Sequence, residues 1–121
     1  MKRILVIDDD EQIRLLFEVK LKEEGYLVDV AGEGQTGIKM FKAAPYDLVI
    51  TDLVMPKKEG LETIHELLHI APQTKIIAIS GGGKLVPGSF LSVANKLGAL
   101  ATFEKPINWA ELLKTIKITV S

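Results

Sequence analysis

The sequence predicts an α/β fold in which five βα units form one parallel sheet with helices on both faces. Continuous aliphatic runs at residues 4–7, 48–50 and 76–79 lack any alternation of apolar and polar residues, as expected of strands covered on both faces. Segments in which apolar residues recur with helical spacing separate these runs. This alternation, with short connections, is typical of a doubly wound sheet.

Turn and cap residues give the approximate bounds of the elements. The first helix stops at Gly25, the fourth ends at Gly98, and Asn108 is expected to cap the fifth. The predicted helices comprise residues 13–21, 37–43, 61–70, 86–97 and 109–118, and the two further strands comprise residues 27–30 and 101–103. For such a chain we expect the flavodoxin-like strand order 2-1-3-4-5, with ligands bound beyond the carboxyl ends of the strands.

Length and composition exclude several classes of protein. The 121 residues, 47% of them hydrophobic, suit one domain over residues 1–121. The net charge of -1 gives no electrostatic reason to expect nucleic acid or an anionic membrane as partner. The absence of cysteine excludes disulfides and thiol nucleophiles. No secretory signal or long apolar segment is present, so a cytoplasmic location is expected.

Charged and hydroxyl side chains follow the predicted strands. Residues 8–10 are three aspartates after the first strand, Asp52 follows the third, Ser80 the fourth and Lys105 the fifth. Carboxylates gathered at one edge repel each other unless a cation lies among them, and Mg²⁺ prefers such hard oxygen ligands. An aspartate that attacks phosphorus forms an acyl phosphate, so this edge has the groups needed for phosphoryl transfer.

Each of these residues also has a plain structural interpretation. Asp10 is expected mainly to cap the first helix, and Ser80 or Lys105 alone would usually be a turn residue or a solvated charge. Their coincidence at successive strand ends favours a functional site.

Four motifs at these positions carry a resemblance to a known family. They are residues 4–10 (ILVIDDD), residues 52–56 (DLVMP) with Gly60 following, Ser80, and Lys105-Pro106. In this order on a βα frame, they make the chain resemble the response-regulator receiver domains of two-component signalling over its whole length.

The resemblance implies that Asp52 accepts a phosphoryl group from a histidine kinase or phosphotransfer protein. It implies that Asp9, Asp52 and the backbone carbonyl of Val54 ligate Mg²⁺ directly, and that Asp8 acts mainly through a coordinated water. Such a domain is a signalling phosphoacceptor and not an enzyme, with catalysis limited to its own phosphotransfer and dephosphorylation.

The resemblance also implies how the signal leaves the site. Ser80 and Lys105 would each bind a phosphoryl oxygen, and the peptide bond before the proline is often cis. Ser80 would move inward and reorder the loop at residues 81–84, and with it the face built by the fourth helix, fifth strand and fifth helix. The family usually has an aromatic residue three positions before the lysine, which swings inward on activation. This switch-aromatic position is Thr102 here, and Phe103, one residue later, is expected to face the other way.

The stretch between Ser80 and Lys105 looks longer than in chemotaxis-type regulators, so the output face is expected to be atypical. The sequence identifies neither the kinase nor the output, and we expect a monomer or weak dimer.

Two other functions fit parts of the sequence. His65, Glu66 and His69 form an H-E-x-x-H string, the motif of zinc hydrolases, on a helix whose stripe of Leu61, Ile64 and Leu68 is expected to face the core. The alternative expectation there is a pair of surface histidines.

The second alternative is a haloacid-dehalogenase-like phosphohydrolase with Asp8 as nucleophile and Asp10 as acid. Gln12 stands where that family has threonine or valine, and the chain has no room for a cap domain. The two phosphoryl-transfer functions disagree about which aspartate is modified.

Overall fold

In a computed structural model, the protein is described over residues 1–53, 60–80 and 95–121. Five strands form one parallel sheet in the order β2-β1-β3-β4-β5, as predicted. The strands are β1 (Arg3–Ile7), β2 (Leu27–Ala31), β3 (Leu48–Asp52), β4 (Ile76–Ser80) and β5 (Ala101–Glu104). The helices are α1 (Glu11–Glu23), α2 (Gly34–Ala43), α3 (Gly60–Ile70) and α4 (Trp109–Val120).

The fourth predicted helix, residues 86–97, lies mostly outside the described residues, and its last three residues are helical. Helix α4 is therefore the fifth helix of the sequence prediction. Helices α1 and α2 begin two and three residues earlier than predicted, because their first turns are polar and carry no apolar periodicity.

Strand alternation divides the core into two layers. Leu5 and Ile7 of β1 pack with α2 and α3, and this side of the sheet is called the α2/α3 face. Ile4 and Val6 pack with α1 and α4 on the opposite side, the α1/α4 face. Both faces are thus covered, which explains why β1, β3 and β4 are continuous aliphatic runs.

The predicted caps fix the ends of α1 and α4. The Asp10 carboxylate accepts hydrogen bonds from the backbone N–H groups of Gln12 and Ile13 at the start of α1. Asn108 accepts one from the N–H of Glu111 at the start of α4. These bonds satisfy donors that the first helical turn cannot pair internally.

Two further features concern helix ends and lengths. After α1, Gly25 adopts a φ of 91°, which explains why a glycine ends this helix. Among the helices in the described part of the chain, none is long and apolar enough to cross a membrane.

Candidate functional site

The carboxyl edge of the sheet brings together side chains from three strand ends. Asp52 is the last residue of β3, Asp8 follows β1 directly, and Lys105 follows β5 directly. The backbone continues the sheet here, since the Asp8 N–H donates to Ala31 O over 3.0 Å and the Lys105 N–H to Ser80 O over 2.9 Å. Backbone hydrogen bonds between the strands therefore fix the positions of the main-chain atoms that carry these side chains.

Lys105 connects the acidic side chains of two different strands. Its Nζ atom lies 3.0 Å from Asp8 Oδ2 and 3.4 Å from Asp52 Oδ2. The two aspartates are 1% and 3% exposed, so the lysine ammonium neutralises carboxylates that have little water around them. The peptide bond between Lys105 and Pro106 is cis, as the resemblance implies.

Burial and charge shift the titration of these groups. Burial raises the pKa of Asp8 above 3.8, although the Asp10 N–H, which donates to its Oδ1 over 2.8 Å, and the Lys105 ammonium both act to lower it. Burial would lower the pKa of Lys105, but the Asp52 and Asp8 carboxylates outweigh it, so the pKa is raised. The lysine is therefore a permanent cation at neutral pH.

The carboxylates of Asp8, Asp9 and Asp52 converge. One oxygen from each lies within 4.8 Å of the other two. Oxygens bound to one Mg²⁺ ion at about 2.0–2.1 Å are about 3–4 Å apart, so small side-chain rotations would suit this ion. Asp9 is exposed, which leaves the cluster open to solvent on one side. The donor set fits Mg²⁺, whereas Val54, the predicted carbonyl ligand, lies outside the described residues.

Helix α3 begins directly against the end of β3. The Gly60 N–H donates to Leu53 O over 3.0 Å, and the Leu53 N–H donates to Ile79 O over 2.8 Å. A Cβ atom at Gly60 would overlap the carbonyl oxygen of Asp52 and the Cα atom of Leu53. Only glycine permits this approach, which explains its place after the residue 52–56 motif.

The predicted switch residues lie on strands β4 and β5. Ser80 is 3% exposed at the end of β4, next to the chain segment of residues 81–94, which lies outside the described residues. Thr102 pairs with Ala78 and shares its α2/α3 face, whereas Phe103 packs on the α1/α4 face. The expectation that Phe103 faces away from Thr102 is confirmed.

The two alternative functions find no support in this geometry. The Asp10 carboxylate, the proposed acid of a phosphohydrolase, is hydrogen-bonded as the cap of α1. His65 and His69 are exposed, and in the described part of the chain the only convergent group of three or more possible metal ligands is the aspartate cluster. The surface-histidine interpretation therefore agrees with the structure.

Arg14 is a residue of this site that the sequence analysis missed. Its Nη1 atom donates to the carbonyl oxygen of Asp8 over 2.7 Å. Helical side chains point toward the helix N-terminus, so an arginine one turn after the capping Asp10 reaches the strand ends. That position was the available signal.

The chain is similar to known proteins over nearly its whole length. The model of the response regulator receiver domain matches residues 4–117. The transcriptional regulatory protein PdtaR of Mycobacterium tuberculosis is 32% identical over 99% of this chain, which covers 57% of PdtaR. The chemotaxis protein CheY of Thermotoga maritima is 30% identical over 95% of this chain and 94% of its own length. The chain spans about half the length of the transcriptional regulators it matches.

Solved structures give the same result. The response regulator TrrA of Thermotoga maritima, determined in complex with Mg²⁺ and BeF, has a TM-score of 0.84 and 35% identity over 98% of this chain and 99% of its own. A CheY-like receiver domain protein of Methanospirillum hungatei has a TM-score of 0.89 and 31% identity over 99% of this chain and 94% of its own. The chain therefore belongs to the family of response regulator receiver domains.

Proposed function

We propose that this receiver domain accepts a phosphoryl group on Asp52, with Mg²⁺, from a histidine kinase or phosphotransfer protein. The observation that carries the proposal is the placement of Lys105 Nζ between the buried carboxylates of Asp8 and Asp52, with Asp9 close by. Such a cluster can meet an incoming anion only with added positive charge. The Mg²⁺-BeF complex of TrrA is a further support.

The chemistry assigns one part to each side chain. A carboxylate oxygen of Asp52 attacks the phosphorus of the phosphohistidine, a new P–O bond forms, and the P–N bond breaks with its electron pair returning to the imidazole nitrogen. When bound, Mg²⁺ supplies positive charge to the phosphoryl oxygens. Lys105 Nζ, already 3.4 Å from Asp52 Oδ2, then pairs with a phosphoryl oxygen.

The proposed ion-binding role is divided among three aspartates and one backbone carbonyl. We assign Asp9 and Asp52 as direct ligands, together with the backbone carbonyl of Val54. Asp8, whose carboxylate already pairs with Lys105 and the Asp10 N–H, acts mainly through a coordinated water.

Phosphorylation would be read out through Ser80. Its hydroxyl lies at the end of β4, the strand that pairs with β3 beside Asp52, and would move to bind a phosphoryl oxygen. This reorders residues 81–84 and the face formed by the fourth predicted helix, β5 and α4. Since Thr102 replaces the aromatic side chain, the loop carries the change.

We further propose the domain extent, location and oligomeric state that the sequence predicts. Residues 1–121 form a single receiver domain that acts in the cytoplasm as a monomer or weak dimer. Its own catalysis is limited to phosphotransfer and dephosphorylation at Asp52. Its output is another protein or domain, and it does not bind nucleic acid itself.

The experiment is phosphorylation by acetyl phosphate, a small-molecule phosphodonor, followed by intact-protein mass spectrometry. We expect the wild type to gain one phosphoryl group with Mg²⁺ and none with EDTA, and the adduct to be stable in acid and labile in base. The variant Asp52→Asn, which removes the nucleophile with little change in shape, should gain none. Equal labelling of both proteins would contradict the role of Asp52.

A further inference from the structure

Arg14 contacts two loops at the site edge at once. Its Nη1 atom donates to the carbonyl oxygen of Asp8 over 2.7 Å, in the loop between β1 and α1. The guanidinium also lies against Gly32, the residue after β2, where an added Cβ would be 3.2 Å from Nη1 and 3.5 Å from Cζ. A glycine at residue 32 thus leaves room for the arginine.

With these contacts, the N–H, the carbonyl and the carboxylate of Asp8 all have bonding partners. Its N–H donates to Ala31 O over 3.0 Å, its carbonyl accepts from Arg14, and its carboxylate pairs with Lys105 and the Asp10 N–H. A charge-assisted bond to a carbonyl is short and directional, so the peptide plane after Asp8 has one orientation.

That peptide plane also contains the backbone nitrogen of Asp9, because the carbonyl of one residue and the N–H of the next belong to one rigid unit. Asp9 is exposed, so its side chain has less packing around it than Asp8 or Asp52. The direction in which the Asp9 side chain projects therefore depends on the orientation of the Asp8–Asp9 peptide plane, which Arg14 holds.

We propose that Arg14 is a positioning residue of the Mg²⁺ site, which holds the Asp8–Asp9 peptide so that the Asp9 carboxylate converges with those of Asp8 and Asp52. This inference rests on the proposed function of the site. Arg14 differs from Lys105 in that its bond goes to a carbonyl oxygen, so it brings positive charge to the edge without occupying a carboxylate oxygen.

The test measures Mg²⁺ binding with MgCl₂ alone, by isothermal titration calorimetry, on wild type, Arg14→Ala and Lys22→Ala. Lys22→Ala is the matched control, since it removes a cation from the same helix, where Lys22 pairs with Glu18 in solvent. We expect Arg14→Ala to bind Mg²⁺ about tenfold more weakly, the effect typical of residues that orient metal ligands, and Lys22→Ala to bind as the wild type does. Far-UV circular dichroism and thermal unfolding without Mg²⁺ check that each variant is folded.

A folded Arg14→Ala protein with wild-type affinity for Mg²⁺ would overturn the inference. If Arg14→Ala does not fold, Arg14→Lys replaces it, because lysine keeps the charge but lacks the planar fork that lies over Gly32. We then expect several-fold weaker Mg²⁺ binding, and wild-type affinity would again overturn the inference. Asp9→Asn should lose Mg²⁺ binding. The failures of the two proposals are distinguishable: a wild type that does not bind Mg²⁺ contradicts the proposed function, whereas an unaffected Arg14 variant contradicts only the role of Arg14.

Discussion

The first residue of α3, Gly60, lies so close to Asp52 that a Cβ atom would overlap the aspartate's carbonyl oxygen. The backbone of the proposed phosphoacceptor is thus held by two elements. The start of α3 packs against it, and the sheet holds the next residue, since the Leu53 N–H donates to Ile79 O. Because the obstacle is backbone, it cannot move aside as a flexible side chain would.

Replacing Gly60 by alanine should therefore damage both stability and function. We expect Gly60→Ala to lower the free energy of unfolding by about 3 kcal/mol, at the upper end of overpacking costs, and to slow labelling by acetyl phosphate. Gly25→Ala is the control, since Gly25 has a φ of +91° but open space around it. It should cost about 1 kcal/mol and leave labelling unchanged. Urea unfolding and labelling rates measure both; equal behaviour of the two variants would argue against the close approach.

Asp10 should be a structural residue although it adjoins two proposed ligand positions. Asp10→Ala removes the cap of α1 and should lower the free energy of unfolding by about 1 kcal/mol. Asp10→Ser keeps a capping oxygen and should restore most of that loss. Both variants should still be labelled at Asp52, and a loss of labelling in folded Asp10→Ser would show that the carboxylate has a chemical role.

The raised pKa of Asp8 predicts a cost of ionising it in the folded state without Mg²⁺. Below its ordinary pKa of 3.8 the carboxyl is protonated in both folded and unfolded chains, so the cost is absent. As pH rises above 3.8, the unfolded chain loses its proton first, and the folded state becomes less stable until its own raised pKa is passed.

Asp8→Asn removes that cost, and Asn can still accept the hydrogen bond from the Asp10 N–H. We expect this variant to be more stable than the wild type at pH 7 in EDTA, with the difference shrinking toward pH 3.8. The midpoint of urea unfolding across this range measures it. A wild type that is the more stable protein at pH 7 would mean that the ion pair with Lys105 outweighs burial.

Lys105 and Mg²⁺ should partly replace each other, because both compensate the same carboxylates. Lys105→Met leaves Asp8 and Asp52 buried without their shared cation and should cost about 3 kcal/mol in EDTA. Saturating Mg²⁺ should raise the thermal midpoint of this variant more than that of the wild type. The same increase in both proteins would indicate that the ion binds away from Lys105.

The strands, helices and caps could be read from the sequence because each depends on local patterns, and the strand order then followed from the general rule for doubly wound sheets. The aliphatic run at residues 4–7 and the glycine at residue 25 are signals that neighbouring residues alone provide. The predicted stripe on α3 does face the core, since Ile64 is buried and Leu61 and Leu68 are half-buried against it, but the prediction missed Leu67, which is also buried. Helical spacing does not locate the centre of a buried stripe to a precision of one residue.

The composition of the site edge could be predicted, but its contacts could not. That Asp8, Asp52 and Lys105 would stand at one edge follows from strand direction. That the lysine lies nearer Asp8 than Asp52, and that Arg14 binds a carbonyl and not a carboxylate, depends on side-chain packing between distant segments. Those relationships leave no trace in local periodicity.

The most direct measurement of the central claim is identification of the modified aspartate. Wild-type protein is treated with acetyl phosphate and Mg²⁺, the acyl phosphate is reduced with borohydride to a stable homoserine, and peptides are mapped by tandem mass spectrometry. We expect homoserine at Asp52 alone. Modification at Asp8 with an unmodified Asp52 would contradict the proposed function and support the phosphohydrolase alternative.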